Sequence, residues 1–415
     1  MTSRKERAVE GVRALRHAAY RMLFVAFIAR GFQVWMQFVA LPLLVLELGG
    51  SAADVGLVTG LFLIPIAFLA PAAGMLGDRF DRRRTLIALA VYGAVHGLVM
   101  AALVFGGGMT IPLLAVFAGL YGVLNAVEIP VRLAFIAEVV PRADLANGVV
   151  LGQLGFTTTR IVGPAVAGLV VAAAGLAAVF AFIGLAGVVV AIGTYAVRAA
   201  YVEPRVASGR SPWGALVDGL RYSAARRDVR QPLLLLGAVS IFGLSFQVVL
   251  PLYAVDHLGL DRHQFGLMLA VMGIGALLAS VPMAYLTPAG ARRALLGSSA
   301  AVGLTIAALT VTSLIPLAFI IVALAGAASN IALSSASVAL QDAVDGFVRA
   351  RVLGLQAALF QGGQGIGGLL MGLATDELGV IVAMAGGAVV VGVATAWMVF
   401  AWPRVGPGRP ATAAP

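Results

Sequence analysis

Few residues in this chain are equipped for chemistry, and most of them stand inside long apolar runs. Glu128 and Arg132 lie four apart in one run, on one helical face, where they can pair. Arg160 falls at a similar depth in the next run, and Asn125 and Gln153 flank them. The expected arrangement is a cluster Glu128–Arg132–Arg160. Two roles stand open for it: a structural or gating network, or a proton carrier at Glu128. Neighbouring cations favour the charged carboxylate, which weighs against easy protonation. Arg30 shares the first run with Gln33 and Gln37. It is open to favouring an anionic substrate, pairing with Glu128, or snorkelling. The uncharged Gln33, Gln37, Asn125, Gln153, Gln247, Gln356 and Gln361 are candidate anchors of a mostly apolar pocket, a lining that suits small amphipathic ligands.

Other chemistries are poorly served. The chain has no cysteine, which excludes disulfides, thiolate metal sites and cysteine nucleophiles. His17, His96, His257 and His263 show no ligand spacing, so no metal site is expected. Gly363-Gln364-Gly365-Ile366-Gly367-Gly368 matches G-x-G-x-x-G in form. A dinucleotide site needs a preceding strand and a βαβ unit, so close helix packing or a hinge is the better account. No phosphate-binding loop is present, and His96 has no acidic neighbour in its run. The sequence reads as a non-enzyme without cofactor.

A bilayer must position these residues. The chain of 415 residues is 61% hydrophobic and 11% charged, whereas soluble domains are roughly 25% charged. Twelve apolar runs suggest spans near 20–47, 54–77, 85–106, 111–137, 145–172, 176–197, 231–257, 263–287, 293–314, 316–341, 349–374 and 379–402; about 20 apolar residues cross the hydrocarbon. Of the 28 basic residues, only Arg262 falls on one side of this arrangement, and Arg30, Arg132 and Arg160 fall inside spans. All others share the opposite side, which the positive-inside rule makes cytoplasmic, with both termini. The net charge of +10 is therefore a topology signal, and no nucleic-acid partner is expected. The first run is too long for a cleaved signal peptide and lacks a small-residue cleavage site. The expectation is a multi-pass protein of the plasma (inner) membrane, with lipids as its surroundings and a monomer as its state.

The chain also repeats. Val39, Leu41, Pro42 and Leu43 recur as Val248, Leu250, Pro251 and Leu252. Gly56-Leu57 and Arg82-Arg83 recur as Gly266-Leu267 and Arg292-Arg293. Leu151, Phe156, Gly163, Gly168 and Gly175 fall on Leu355, Phe360, Gly367, Gly372 and Gly379, a shift of 204. Two parallel six-helix repeats follow, an architecture in which a substrate site lies between the halves. The predicted organisation is a basic tail 1–19, a bundle 20–197, a cytoplasmic linker 198–230, a second bundle 231–402 and a tail 403–415. Within the linker, Ser211-Pro212 opens a helix, and Trp213, Leu216, Val217 and Leu220 mark an amphipathic stripe. That helix either lies on the inner leaflet or docks on the protein.

The break after the second run reads Gly74-Met75-Leu76-Gly77-Asp78-Arg79-Phe80-Asp81-Arg82-Arg83-Arg84. It resembles the signature loop of the major facilitator superfamily, in the variant of its drug and enterobactin exporter branch, the transmembrane secretion effectors. Val39-Ala40-Leu41-Pro42, Pro130-x-Arg132, Pro141-Arg142-Ala143-Asp144-Leu145-Ala146-Asn147, Arg160-x-x-Gly163-Pro164 and Gly219-Leu220-Arg221-Tyr222 extend the resemblance over about residues 14–400. The resemblance implies the all-α major facilitator fold and a gating loop at Gly74, Gly77, Asp78, Arg79, Asp81, Arg82 and Arg83. Asp78 would contact the start of the eleventh span and latch the cytoplasmic gate, where a carboxylate at a helix N-terminus is favourable. Pro288 stands in its place in the second half, so any latch is asymmetric. Gly163-Pro164 resembles the centre of the antiporter motif; Pro bends a helix, either to shape the cavity or simply to pack. One departure matters: many members of the branch carry an Asp in the first span where this chain has Val34, which removes a plausible proton site. The resemblance implies alternating access and proton-driven export of small amphipathic molecules, such as drugs or siderophore-like metabolites. The alternatives are a facilitator, importer or lysolipid-type flippase of the same fold, or a sensor or scaffold that moves nothing.

Overall fold

The computed structural model describes residues 13–79, 81–198, 200–201, 212–283, 285–344 and 346–402. A short 3-10 turn at Arg13–Arg16 leads into α1 (Ala18–Glu47), α2 (Ala52–Arg79), α3 (Arg82–Phe105) and α4 (Ile111–Val139). A 52-residue helical stretch follows, Leu145–Ala196, with Gly175 at φ 79° inside it. Positive φ suits glycine and stops the helix. The chain doubles back there, because Gly148 packs beside Tyr20 and Gly193 beside Ala26, both near the start of α1. The stretch therefore contains two helices, α5 (145–174) and α6 (176–196).

Then come α7 (Pro212–Ala225), α8 (Arg227–His257), α9 (Arg262–Met283), α10 (Pro288–Val311), α11 (Ile315–Ala343), α12 (Gly346–Leu378) and α13 (Val380–Ala401). Ten stretches of the described residues are long and apolar enough to cross a membrane, counting Leu145–Ala196 once. Proline near the start of α4, α10 and α11 fits their first turns, where no intrahelical N–H is needed.

Two differences from the sequence reading stand out. The helix of the seventh run begins at Arg227 rather than 231, because the break after α7 falls at Arg226 and the helix continues past the apolar run. Its interior also holds two π-helical turns, Val239–Gly243 and Tyr253–His257. Proline lacks an N–H, and Pro251 sits between those turns.

α7 docks on the protein. Gly219 lies beside Arg351 at the start of α12, and Asp218 is 3.8 Å from Arg351. Val217 and Leu220 remain exposed. Ser211 and the side chains of Trp213 and Leu216 lie outside the described residues.

Helices α1–α6 and α8–α13 form two groups that meet along two helix pairs, α2 with α12 and α5 with α9. Both seams need glycine. A Cβ on Gly56 would lie 2.6 Å from the Gly368 carbonyl oxygen, and one on Gly266 would lie 2.5 Å from Gly168 Cα. Small residues let helix backbones approach this closely. Close approaches run along both seams: Gly362–Ala67 lies at mid-helix, and Gly168–Gly266 and Gly372–Ala52 lie toward the side opposite the described chain ends, called here the far side.

Candidate functional site

Within the first helix group, α1 and α4 bring a buried charge network together. Glu128 Oε1 lies 2.9 Å from Arg132 Nε, and its Oε2 lies 3.8 Å from Arg30 Nε. Arg30 donates to the Tyr121 hydroxyl at 2.6 Å, to Gln33 Oε1 at 3.3 Å and to Asn125. Gln33 also donates to the Ile183 carbonyl of α6 at 2.9 Å. Gln37 lies 3.0 Å from His96 Nε2, whose ring leans on Tyr121. One carboxylate thus lies beside two guanidiniums, and three neutral acceptors take hydrogen bonds from the Arg30 Nη atoms. This is how charge persists inside an apolar bundle.

Arg160 stands apart from this group, contrary to the expected cluster. Aromatic rings link the two places: Arg132 lies over Phe156, Phe156 packs against Trp35, and Arg160 lies over Trp35. Phe360 of α12 covers Arg160 as well, 5.8 Å from ring centre to guanidinium carbon. Arg160 has no hydrogen bond and no ion pair among the described residues.

Arg160 instead lines a cavity between the helix groups. Trp35, Phe38 and Pro164 share one wall, while Gln247, Met272, Gly326 and Ser329 share the other, around about 510 Å³ of atom-free space including open solvent. Gly163 packs against Trp35 Cβ, which seats the Gly163-Pro164 step at this wall. Gln247 lies between the two π-helical turns of α8.

The other polar candidates scatter. Gln33, Gln37 and Asn125 are buried inside the first group rather than in this cavity. Gln356 is buried and donates to Ser337 Oγ at 2.6 Å. Gln361 is half-buried, and Gln153 is exposed, because it falls on the outer face of α5. Only Gln247 of the seven lines the cavity between the groups.

At the side carrying the chain ends, α2 runs through Gly74, Gly77, Asp78 and Arg79, whose side chains lie outside the described residues. Asp81 caps α3 by accepting from Arg84 N at 2.7 Å. Arg82 pairs with Glu138 at 2.8 Å, and Arg83 donates to the Tyr195 carbonyl.

The far side holds a contact that sequence reasoning missed. Asp376, near the end of α12, accepts from Ala52 N at 2.8 Å and Ala53 N at 2.9 Å. Ser51 and Asp54 complete the cap, with Ser51 N on Asp54 Oδ2 and Asp54 N on Ser51 Oγ. One helix group thus satisfies free N–H groups at a helix start in the other. Partial burial raises the Asp376 pKa, but the hydrogen bonds from Ala53 N, Ser51 and Ala52 N outweigh it and hold the carboxyl below its usual range. The sequence does place an acid at the end of an apolar run; it does not say which helix start that acid meets. Glu138, Trp35, Tyr121 and Phe360 were missed for the same reason, since their roles exist only across helices.

Comparison with known proteins agrees with this geometry. The chain is 28% identical over 381 residues to the multidrug efflux pump Tap of Mycobacterium tuberculosis, covering 88% of each. It is 23% identical over 350 residues to the staphyloferrin A transporter of Staphylococcus aureus, covering 84% of this chain and 87% of that one. Among solved structures, a variant of the nucleoside transporter NupG superposes with a TM-score of 0.77 at 15% identity, covering 93% of this chain and 100% of that one. A bacterial homologue of the human lysosomal transporter Spinster, inward-facing and occupied, gives 0.72 at 15% identity, covering 92% and 96%. The fold is therefore that of these transporters. With the family model for the transmembrane secretion effectors matching residues 10–406, the chain belongs to that family, the drug and siderophore exporter branch of the major facilitator transporters, and is a transporter rather than an enzyme.

Proposed function

We propose that the protein is a secondary active exporter of small amphipathic molecules, working by alternating access. In this reading twelve spans form two six-helix halves in the inner membrane, with both termini and α7 in the cytoplasm. The observation that carries it is the cavity walled by Trp35, Phe38 and Pro164 on one half and Gln247, Met272 and Ser329 on the other. It lies between halves whose far-side ends are in contact through Asp376. The Tap relative is a multidrug efflux pump, which supports the outward direction.

α2 and α12 supply the switch in this reading. Each ends in a carboxylate, Asp78 on α2 and Asp376 on α12. With Asp376 on the α2 start, the cavity is shut from outside. In the opposite state Asp78 takes the α12 start and shuts the cytoplasmic side. Glu128, held between Arg30 and Arg132, has two roles open in this reading: a structural or gating network, or the carrier of the coupled proton.

Everted vesicles test the reading with phenylnaphthylamine, a neutral fluorescent amphipath. Uptake that rises with an imposed pH gradient and stops when the gradient is collapsed supports it; uptake that ignores the gradient overturns proton coupling. Glu128→Gln then isolates the coupling group. Normal gradient drive in that variant excludes Glu128 as the carrier.

A further inference from the structure

We infer that the cavity between the halves is an anion site, and that the molecules it takes are aromatic amphipaths bearing a carboxylate or sulfonate. The inference rests on reading that cavity as the transport site. Its basis is the contrast among the three arginines inside the first half. Arg30 and Arg132 share Glu128. Arg160 has no acidic partner and no acceptor among the described residues, yet it lines the cavity.

The contacts that hold Arg160 include no oxygen acceptor among the described residues. Trp35 lies 5.2 Å from the guanidinium carbon and Phe360 lies 5.8 Å from it. Such rings attract the cation through their quadrupoles and offer no carboxylate or carbonyl oxygen to its N–H donors. Those donors form a fork matched to two oxygens of a carboxylate or sulfonate. The two rings come from opposite halves, so the cation is seated where both halves meet a bound molecule. Beside it the cavity offers aromatic and aliphatic surface from Trp35, Phe38, Leu269 and Met272, and the neutral polar ends of Gln247 and Ser329. An anionic head on Arg160 with an apolar ring system against these walls uses every part of the lining.

Net charge points the same way. Away from the helix ends of the first half, three guanidiniums stand against one carboxylate, and among the described residues no charged residue of the second half lines the cavity. In low-dielectric surroundings an uncompensated cation attracts an anion and repels lipophilic cations. Occupation by an anion would remove the cost of leaving Arg160 unpaired.

The test uses purified full-length protein in nanodiscs and a matched probe pair, anilinonaphthalenesulfonate and its sulfonate-free parent phenylnaphthylamine, each corrected against empty nanodiscs. The wild type is expected to bind the sulfonate about tenfold more tightly, or about 1.4 kcal/mol. Arg160→Gln is expected to abolish that preference while holding phenylnaphthylamine within about twofold; Arg160→Lys should keep part of it. A preference that survives Arg160→Gln, or no preference in the wild type, overturns the inference, as does failure to bind either probe. A parallel loss of both probes in Arg160→Gln with Arg160→Lys unaffected assigns Arg160 to packing and also overturns it. The transport reading fails separately. Preference in nanodiscs without gradient-driven movement of either probe keeps the anion site and sinks export; movement of phenylnaphthylamine without the preference does the reverse.

Discussion

The two helix groups carry matching sequence motifs and differ in chemistry. In α1, Arg30, Gln33 and Gln37 feed the charge network; at the shift of 209 that aligns Leu41-Pro42 with Leu250-Pro251, their counterparts in α8 are Val239, Phe242 and Phe246. Arg160 of α5 corresponds, at the shift of 204, to Gln364 of α12, which is buried and donates only to the Phe360 carbonyl of its own helix at 3.2 Å. α4 carries Glu128 and Arg132 in mid-helix, whereas the only charged residue in α11 is Asp342, near its end. The second half instead holds π-helical turns in α8 and neutral bonds such as Asn330 Nδ2 to Ser280 Oγ at 2.9 Å. On the proposed duplication, the two copies began from a shared scaffold. One copy then concentrated its charge, and the other kept helices whose hydrogen-bond ladder bends, a feature frequent at functional sites.

Breaking the network should hurt most. Glu128→Leu leaves Arg30 and Arg132 without their shared carboxylate, and removing one partner of a buried pair costs about 3–5 kcal/mol. Thermal unfolding in detergent should show a large loss, whereas Gln364→Leu in the second half should cost about 1 kcal/mol or less. Equal losses from the two substitutions would erase the comparison.

Next is the seam between the halves. A side chain at Gly372 would meet the Ala52 carbonyl and Ala53 Cα, so Gly372→Val should push α12 off the start of α2 and hold the far side open. The chain has no cysteine, so a single Gln247→Cys reports access to the cavity by an impermeant thiol reagent. Labelling from the far side should rise about tenfold or more and probe export should fall, with the fold intact. Gly386→Ala, on α13 with no neighbour within 4 Å, should leave both near the parent level. Unchanged labelling in Gly372→Val would dissociate the seam from access.

These effects were unequally legible beforehand. Apolar runs and proline starts marked where most helices begin, because span length and helix starts are local properties. The Glu128–Arg132 pair was legible because four residues bring side chains together on one helix. The place of Arg160 was not. Depth along a span says how far down a residue lies, not which way its helix is turned, and the rings of Phe156 and Trp35 put Arg160 on the cavity side. Gln153 misled for the same reason. The π-helical turns of α8 left no sequence signal beyond Pro232 and Pro251, and prolines in apolar helices more often give simple bends.

The smallest effect should come from the far-side cap. Asp376→Asn keeps a carbonyl oxygen for Ala52 N or Ala53 N and removes the charge at the α2 start. Charge at an exposed helix N-terminus is worth about 0.3–1 kcal/mol, so far-side labelling of Gln247→Cys should rise about two- to fivefold, less than in Gly372→Val. The pH dependence follows in sign from the lowered Asp376 pKa. The cap's charge contribution is complete above the range of a free aspartate, about 3.9, and is lost only as pH falls through the lower value of the capped state. Labelling of the parent should therefore be flat across neutral pH and rise only in strong acid, while Asp376→Asn shows no such rise. A parent that opens between about pH 5 and 7 would move the pH-sensitive group away from Asp376, to the charge network of the first half or another titrating residue, and would leave the cap as a purely positional contact between halves.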